Sequence, residues 1–162
     1  FIFMVYMEPV NINVVDVPRY IPDFLSIKYS KIPNAGLGLF ANSDIQQGTF
    51  LGNYMGEVYH NKAACPKNDY IFSTDSFMID GLDLTKSNFA RFMNCCNNND
   101  VENVLVIKYV NPGKSCVFTK TNGEKIDINN YVFFYAKRKI LSDEELLYDY
   151  GEEYRRKLNI HF

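Results

Sequence analysis

The sequence contains no long stretch with the 3.6-residue spacing of apolar positions that an amphipathic helix requires. Short runs of alternating or aromatic residues occur instead, for example at 24–30, 49–59 and 131–136, with turn-forming residues between them. Such runs are typical of β-strands, because alternate side chains of a strand share one face. The sequence therefore predicts a mostly β fold with only short helices.

The composition predicts a single domain with a sizeable core. The chain has 162 residues, of which 47% are apolar, and its aromatic residues are all phenylalanine or tyrosine. A formal net charge of −2 argues against direct nucleic-acid binding, which usually needs a basic excess. The apolar start at 1–7 is too short for a signal sequence or a membrane span, so no membrane association is expected.

The cysteines argue against a metal site. Four cysteines, at positions 65, 95, 96 and 116, show no C-x-x-C spacing, and the chain has only two histidines. No structural zinc or other metal is therefore expected. Cys95 and Cys96 are adjacent and make poor disulfide partners for each other, which favours a reducing, intracellular compartment.

The remaining segments predict further short elements. The run at 49–59 is expected to form two short strands broken at Gly56. Strands are also expected at 69–72 and 77–80, around a turn at 74–76, and at 104–110. Asn122-Gly123 predicts a hairpin between 115–121 and 124–128 whose role the sequence leaves open. A short helix is expected at 152–159. The predicted organisation is an N-terminal arm at 1–23, a catalytic domain at 24–152 and a helical segment at 153–162.

The run at 145–152 carries two tyrosines around one aspartate. Alternation places Tyr148 and Tyr150 on the same side of an extended backbone, and Gly151 then permits a sharp turn. Two phenol rings on one side can line a narrow channel with polar tips. Taken alone, the run favours the alternative of an amphipathic strand whose tyrosines pack on the core.

Charge in the C-terminal region is also patterned. Asp143, Glu144, Glu145, Glu152 and Glu153 predict an acidic side, which either attracts a basic peptide or is simply solvated. The basic runs at 137–139 and 155–157 have acids nearby, so both are expected to be balanced surface charge.

The segment at 36–41 begins with a G-x-G pair. It lacks the third glycine of a dinucleotide-binding loop and no helical pattern follows, so a Rossmann fold is not indicated. Two close glycines let backbone approach a ligand. A β-turn with a bulge is the alternative for the same residues.

Four separated segments, taken in order, resemble the signature blocks of the SET-domain protein-lysine methyltransferases. The blocks are GLGLFA at 36–41 with YMGE at 54–57, DYIF at 69–72 with IDG at 79–81, NFARFMN at 88–94, and YA at 135–136 with EELLYDYG at 144–151. The resemblance covers about residues 25–152. It implies several small sheets with a pseudoknot near the C-terminus.

The resemblance also implies a reaction. It implies transfer of a methyl group from S-adenosylmethionine to a lysine amine, with S-adenosylhomocysteine as product and no metal. The implied partner is a lysine-containing protein or peptide, a histone tail being favoured, and a homodimer is left open. The implied localisation is the nucleus, because the implied substrate is a histone. The chain resembles the minimal stand-alone SET domains that some viruses carry, and for a viral protein the expected location is the host nucleus or the virion.

Roles for individual residues follow from the resemblance. Tyr150 stands at the catalytic tyrosine position and Tyr148 at the position of a phenylalanine/tyrosine switch, so monomethylation is favoured. The implied cofactor-binding residues are Gly36, Leu37, Gly38, Arg91, Asn94, Cys95 and Tyr150. The implied walls of the lysine channel are Tyr54, Tyr70, Phe72, Tyr135 and Tyr148.

The chain departs from the family pattern at Cys95-Cys96, where the family usually has His-Ser. Zinc-bearing segments that flank many SET domains are also not found. These departures leave two alternatives open. One is a methyltransferase for a non-histone protein, and the other is a SET-like module that binds peptide without catalysis.

Overall fold

A computed structural model describes residues 21–97, 101–108, 117–119, 125–127 and 132–157, the backbone alone at 117–119 and 125–127. Within them lie the strands β1 Leu25–Tyr29, β2 Leu37–Ala41, β3 Phe50–Tyr54, β4 Glu57–Tyr59, β5 Ile71–Ser73, β6 Met78–Asp80, β7 Asn94–Cys95, β8 Val104–Lys108, β9 Val117–Thr119, β10 Lys125–Asp127, β11 Val132–Ala136 and β12 Leu147–Tyr148. The helix α1 covers Glu152–Lys157, and two 3₁₀ helices cover Lys62–Ala64 and Phe89–Phe92.

The strands form five small sheets. Antiparallel pairs join β1 to β2 and β9 to β10, and a three-stranded sheet has the order β3–β11–β8. A second three-stranded sheet, β4–β6–β5, is antiparallel, with Val58 and Phe72 both opposite Ile79. The pair β7–β12 is parallel. This architecture confirms the predicted mostly β fold.

The chain divides into two compact units, each assembled from three segments. The first unit contains Phe1–Ile21, Phe50–Arg91 and Ile107–Phe134, and the second contains Pro22–Thr49, Phe92–Val106 and Tyr135–Phe162. Each unit has its own buried apolar residues. Those of the first include Leu51, Phe77, Ile79, Phe89 and Phe134, and those of the second include Leu39, Met93, Val104, Ile140 and Leu146.

In the second unit, segments distant in sequence lie side by side. The backbone at 143–146 runs antiparallel along β2, with a bridge between Phe40 and Glu145 and a hydrogen bond from Leu146 N to Leu39 O of 2.8 Å. The next residues form β12 against β7, with Tyr148 opposite Cys95. This is the kind of pairing that the predicted pseudoknot requires.

Most strand predictions are confirmed where the structure describes them. The turn predicted between 72 and 77 is closed by Thr74, whose backbone N donates to Phe77 O at 2.8 Å. Strands β9 and β10 lie in the predicted hairpin, while Asn122-Gly123 lies outside the described residues. Residues 1–20 of the predicted arm and 158–159 of the predicted helix also lie outside them. The helices described here are all too short or too polar to cross a bilayer.

Candidate active site

The turn before β2 presents backbone rather than side chains. Gly36 has a φ of +73°, in the left-handed region that glycine adopts readily, and a methyl group built there would meet nothing within 4 Å. Leu37 is exposed and Gly38 is buried. Exposed main chain at 36 and 37 has the form that a ligand resting on backbone needs, and the cofactor roles of Gly36, Leu37 and Gly38 stay predictions.

Asn94 links this turn to β7. Its side-chain Nδ2 donates to Leu37 O at 2.9 Å and to Glu145 Oε1 at 3.2 Å. The residue is half-buried and begins the short strand that pairs with β12. The predicted cofactor-binding residues Leu37, Gly38 and Asn94 are therefore brought together.

Glu145 is the organising residue of this group, and the sequence reading missed it. Its carboxylate accepts hydrogen bonds from Ser30 Oγ at 2.7 Å, from Lys31 N at 3.0 Å and from Asn94 Nδ2. The side chain is only 5% exposed, so the expectation of a solvated acidic side is wrong for this residue. The sequence feature that could have indicated burial of Glu145 is its position directly before the apolar residues Leu146 and Leu147, both of which are buried.

The close fit around Glu145 also explains the second glycine of the G-x-G pair. A Cβ added at Gly38 would lie 2.3 Å from Glu145 Oε1 and 3.3 Å from Asn94 Nδ2. Such an approach is far inside van der Waals contact, so any side chain at 38 would displace the carboxylate. The glycine therefore serves the packing of Glu145.

Asn103 was also missed by the sequence reading. It is buried, its Nδ2 donates to Glu145 O at 2.8 Å, and its Oδ1 accepts from Leu147 N at 2.8 Å. One side chain thus satisfies two backbone groups beside β12. Nothing in the sequence separates Asn103 from the other asparagines nearby.

The two tyrosines of the 145–152 run lie on one side, as predicted. The ring centroids of Tyr148 and Tyr150 are 4.6 Å apart, and Tyr148 is buried. The hydroxyl of Tyr150 donates to Met93 O at 2.5 Å, and its ring lies 4.5 Å from that of Tyr154 in α1. The hydroxyl and the ring of Tyr150 are therefore each held by a contact.

Cys95 and Cys96 follow Asn94 and are both buried. The backbone N of Tyr150 donates to Cys95 Sγ at 3.4 Å, and Cys96 N donates to Tyr148 O at 3.1 Å. Burial raises the pKa of the Cys95 thiol, and it raises the pKa of Cys96 to about 12. Both thiols are therefore protonated near neutral pH.

The other predicted channel residues form a group in the first unit. Tyr54 is buried, its hydroxyl donates to Tyr70 O at 2.7 Å, and its ring lies 5.3 Å from Phe72. Burial raises the pKa of Tyr54, so the phenol stays neutral. The guanidinium of Arg91 lies 3.8 Å from the centroid of the Tyr70 ring and donates to Leu82 O at 3.0 Å.

Tyr135 lies in β11 and is buried within the second unit, the unit that contains Tyr148. The structure therefore assembles two groups of predicted site residues. One contains Gly36, Leu37, Gly38, Asn94, Cys95, Tyr135, Tyr148 and Tyr150, and the other contains Tyr54, Tyr70, Phe72 and Arg91.

Surface charges behave as the sequence predicts. Each cation of the run at 137–139 has an acidic partner, namely Glu102, Glu144 and Asp44 in turn. In α1 and the turn before it, Arg155 pairs with Asp149, and Arg156 pairs with Glu152. Pairing of this kind at the surface contributes little stability, and it balances the run at 137–139 and two of the three cations at 155–157.

Comparison with known families identifies the fold independently. The family model for the SET domain matches residues 36–151. Among solved structures, the methyltransferase domain of human PR domain-containing protein 2 superposes with a TM-score of 0.59 at 21% identity, covering 85% of this chain and 84% of that one. This structural likeness supports the SET-domain fold.

Several relatives are named as histone-lysine N-methyltransferases. The set-17 protein of Caenorhabditis elegans is 31% identical over 138 residues, which are 83% of this chain and 43% of the relative. Human PRDM7 is 26% identical over 145 residues, covering 86% of this chain and 26% of the relative. The chain thus spans less than half the length of these relatives.

A further structure contains ligands. KRYPTONITE in complex with mCHH DNA, an H3(1-15) peptide and SAH superposes with a TM-score of 0.55 at 27% identity. The match covers 79% of this chain and 23% of that chain.

Proposed function

This chain belongs to the SET-domain family, and from that membership we propose that it is an S-adenosylmethionine-dependent protein-lysine N-methyltransferase. The observation that carries the proposal is the Tyr148–Tyr150 pair, with the Tyr150 hydroxyl bound to Met93 O. Histone-lysine N-methyltransferase relatives and the SAH and H3 peptide in KRYPTONITE support the cofactor and a histone-type substrate.

The first task of such a site is to make the substrate amine a nucleophile. A free lysine has a pKa of about 10.4, so near neutral pH roughly one molecule in a thousand is neutral, at a cost of about 4 kcal/mol. An aromatic, water-poor environment disfavours the ammonium and supplies part of that free energy. The buried ring of Tyr148 beside Tyr150 provides such an environment.

The second task is orientation, which we assign to Tyr150. A phenol has one proton to donate and retains lone pairs for accepting. Because that proton is directed at Met93 O, the oxygen is left to accept from the substrate amine. A typical phenol, with a pKa of about 10, is a weak base near neutral pH, so Tyr150 aligns the amine rather than deprotonating it.

We assign the cofactor to the backbone at 36–38. S-adenosylmethionine, when bound, supplies a methyl group activated by its sulfonium charge. The open Cβ position of Gly36, the exposed backbone at Leu37 and the half-buried Asn94 suit a ligand held largely through main chain. Asn94 would keep the turn at 37 in place through its bond to Leu37 O.

The product, the substrate and the location can be proposed more narrowly. The extra hydroxyl of Tyr148, compared with phenylalanine, takes up space in which a methylated amine would have to rotate, so monomethylation is the proposed product. A histone tail is the proposed substrate and the nucleus the proposed location. Arg91, Tyr54, Tyr70, Phe72 and Tyr135 keep their proposed roles in the cofactor site and the channel.

The decisive experiment incubates the protein and S-adenosylmethionine with core histones and H3-tail peptides, followed by mass spectrometry. Addition of one methyl group to a defined lysine, abolished in Tyr150→Phe, is the expected result. Calorimetric titration of each variant with the cofactor is the control, since Tyr150→Phe should still bind it. Cofactor binding without histone methylation would identify a non-histone substrate, and failure of both would refute the enzyme in favour of a peptide-binding module.

A further inference from the structure

We propose that Cys95, Cys96 and Asp149 form a binding site for Zn²⁺ or a similarly thiophilic divalent ion, next to the proposed cofactor site, with which it shares Cys95. Their two sulfur atoms and a carboxylate oxygen all lie within 4.8 Å of one another. The cysteines are buried and the aspartate is exposed. This arrangement offers a set of three ligands, of which the aspartate is exposed to solvent.

The spacing is close to that of a zinc site. Zinc binds thiolates at about 2.3 Å in tetrahedral geometry, which places two such sulfurs about 3.8 Å apart. Ligand atoms that lie within 4.8 Å of one another therefore need to approach by at most about 1 Å, which side-chain rotation supplies. A water molecule completes the fourth position, as in other zinc sites with three protein ligands.

Tertiary structure holds the three residues together. The parallel pairing of β7 with β12 places Cys95 opposite Tyr148, and Asp149 follows directly. Cys96 follows β7, and the hydrogen bond from its backbone N to Tyr148 O, at 3.1 Å, holds it against β12. The bond from Tyr150 N to Cys95 Sγ resembles the N–H contacts that stabilise metal-bound thiolates.

The charges favour a divalent ion. Asp149 already pairs with Arg155, and its Oδ1 also accepts from Gly151 N at 2.8 Å. A carboxylate has a second oxygen, so coordination is compatible with both contacts. Binding releases one proton from each thiol to solvent, and the two thiolate charges are then matched by the ion. Thiolates select zinc-like ions over Mg²⁺ and Ca²⁺, which prefer oxygen.

The ion would join the end of β7 to the turn that carries Tyr150. Both strands of this pair have only two residues, so few backbone hydrogen bonds hold it. An ion that binds only the folded state stabilises it by RT ln(1 + [L]/Kd), where [L] is the free ion concentration. At an ion concentration of 100 times Kd, the melting temperature should rise by about 5–10 °C.

Cobalt(II) is the probe, because it replaces zinc and absorbs light. The full chain, with thiols kept reduced by a phosphine, is titrated with Co²⁺ and followed by thiolate-to-cobalt charge-transfer absorption. We expect saturation at an equimolar amount of cobalt and displacement by Zn²⁺. Cys96→Ser should remove most of the absorption and weaken binding at least tenfold, and Asp149→Asn should weaken it several-fold.

Cys65→Ser is the matched control. Cys65 lies within the described residues and is not part of the cluster. This variant should bind cobalt as the unaltered chain does. The proposal is overturned if the folded, fully reduced chain gives no charge-transfer absorption, if Cys96→Ser or Asp149→Asn binds normally, or if the control abolishes binding. None of these readouts requires methyltransferase activity.

Discussion

Replacement of Glu145 with glutamine tests whether this buried carboxylate organises the cofactor side of the site. Oε1 accepts from Ser30 Oγ and Asn94 Nδ2, and Oε2 accepts from Lys31 N. A glutamine can keep the first two bonds through its single oxygen. Its amide nitrogen then faces Lys31 N, which is also a donor, so the third bond is lost.

The magnitude follows from the kind of bond involved. A hydrogen bond to a charged group contributes about 1.5–3 kcal/mol, and a neutral one about 0.5–1.5 kcal/mol. Losing one bond and weakening two is partly offset, because burying a neutral amide costs less than burying a carboxylate. The net fall in the free energy of unfolding should therefore be about 2–3 kcal/mol. For a chain of this length, that corresponds to a fall in melting temperature of about 5–10 °C.

Cofactor affinity should fall with stability. Asn94 bonds both to Glu145 and to Leu37 O, so a displaced carboxylate loosens the turn that is proposed to bind the cofactor. If half of the loss falls on that turn, Kd for S-adenosylmethionine rises about tenfold. Urea unfolding and calorimetric titration with S-adenosylmethionine measure the two effects separately.

Glu102→Gln is the matched control, because Glu102 pairs with the exposed Lys137. A surface pair of this kind contributes about 0–1 kcal/mol, so neither readout should change appreciably. Ser30→Ala, alone and combined with Glu145→Gln, measures the coupling between these two residues. An unfolding free energy and a cofactor Kd both equal to those of the unaltered chain would refute the role given to Glu145.

Three further changes have defined outcomes. Tyr148→Phe should shift the products toward dimethylation and trimethylation in mass spectrometry of a methylated peptide, and an unchanged product distribution would contradict its role. Gly56→Ala places a Cβ 2.1 Å from Asp80 O, so β4 and β6 must separate. We expect the free energy of unfolding in urea to fall by about 1–3 kcal/mol, and unaltered stability would contradict that contact. Asn103→Ala removes its bonds to Glu145 O and Leu147 N. It should cost about 2–4 kcal/mol in the same assay, whereas a loss below about 1 kcal/mol would show that water replaces the amide.

Much of the fold was predictable from local pattern. The interruption of 49–59 at Gly56 separates β3 from β4, and the turn at 74–76 separates β5 from β6, as the sequence indicated. These predictions succeed because alternation and turn residues act over a few positions. Pairing between distant segments, such as β7 with β12, leaves no comparable local signal.

The candidate site shows the same division. Tyr148 and Tyr150 were predicted to share a side because strand alternation requires it, and their rings lie 4.6 Å apart. Glu145 was interpreted as one of several surface acids, because its neighbours in sequence are charged. Its three hydrogen-bond donors come from residues at least 51 positions away, so only the folded chain shows that the charge is buried and satisfied.

The sequence by itself determined the family, the mostly β fold and the candidate catalytic and binding residues, because short motifs in a fixed order indicate each of them. The tertiary structure alone decided which of those residues meet. In the sequence alone, the adjacent residues Cys95 and Cys96 gave no indication of a metal site. Beside Asp149 they become candidate ligands, because a parallel pairing across more than 50 residues brings the carboxylate to them. Proximity of this kind depends on chain closure over a long loop, which local propensity does not encode.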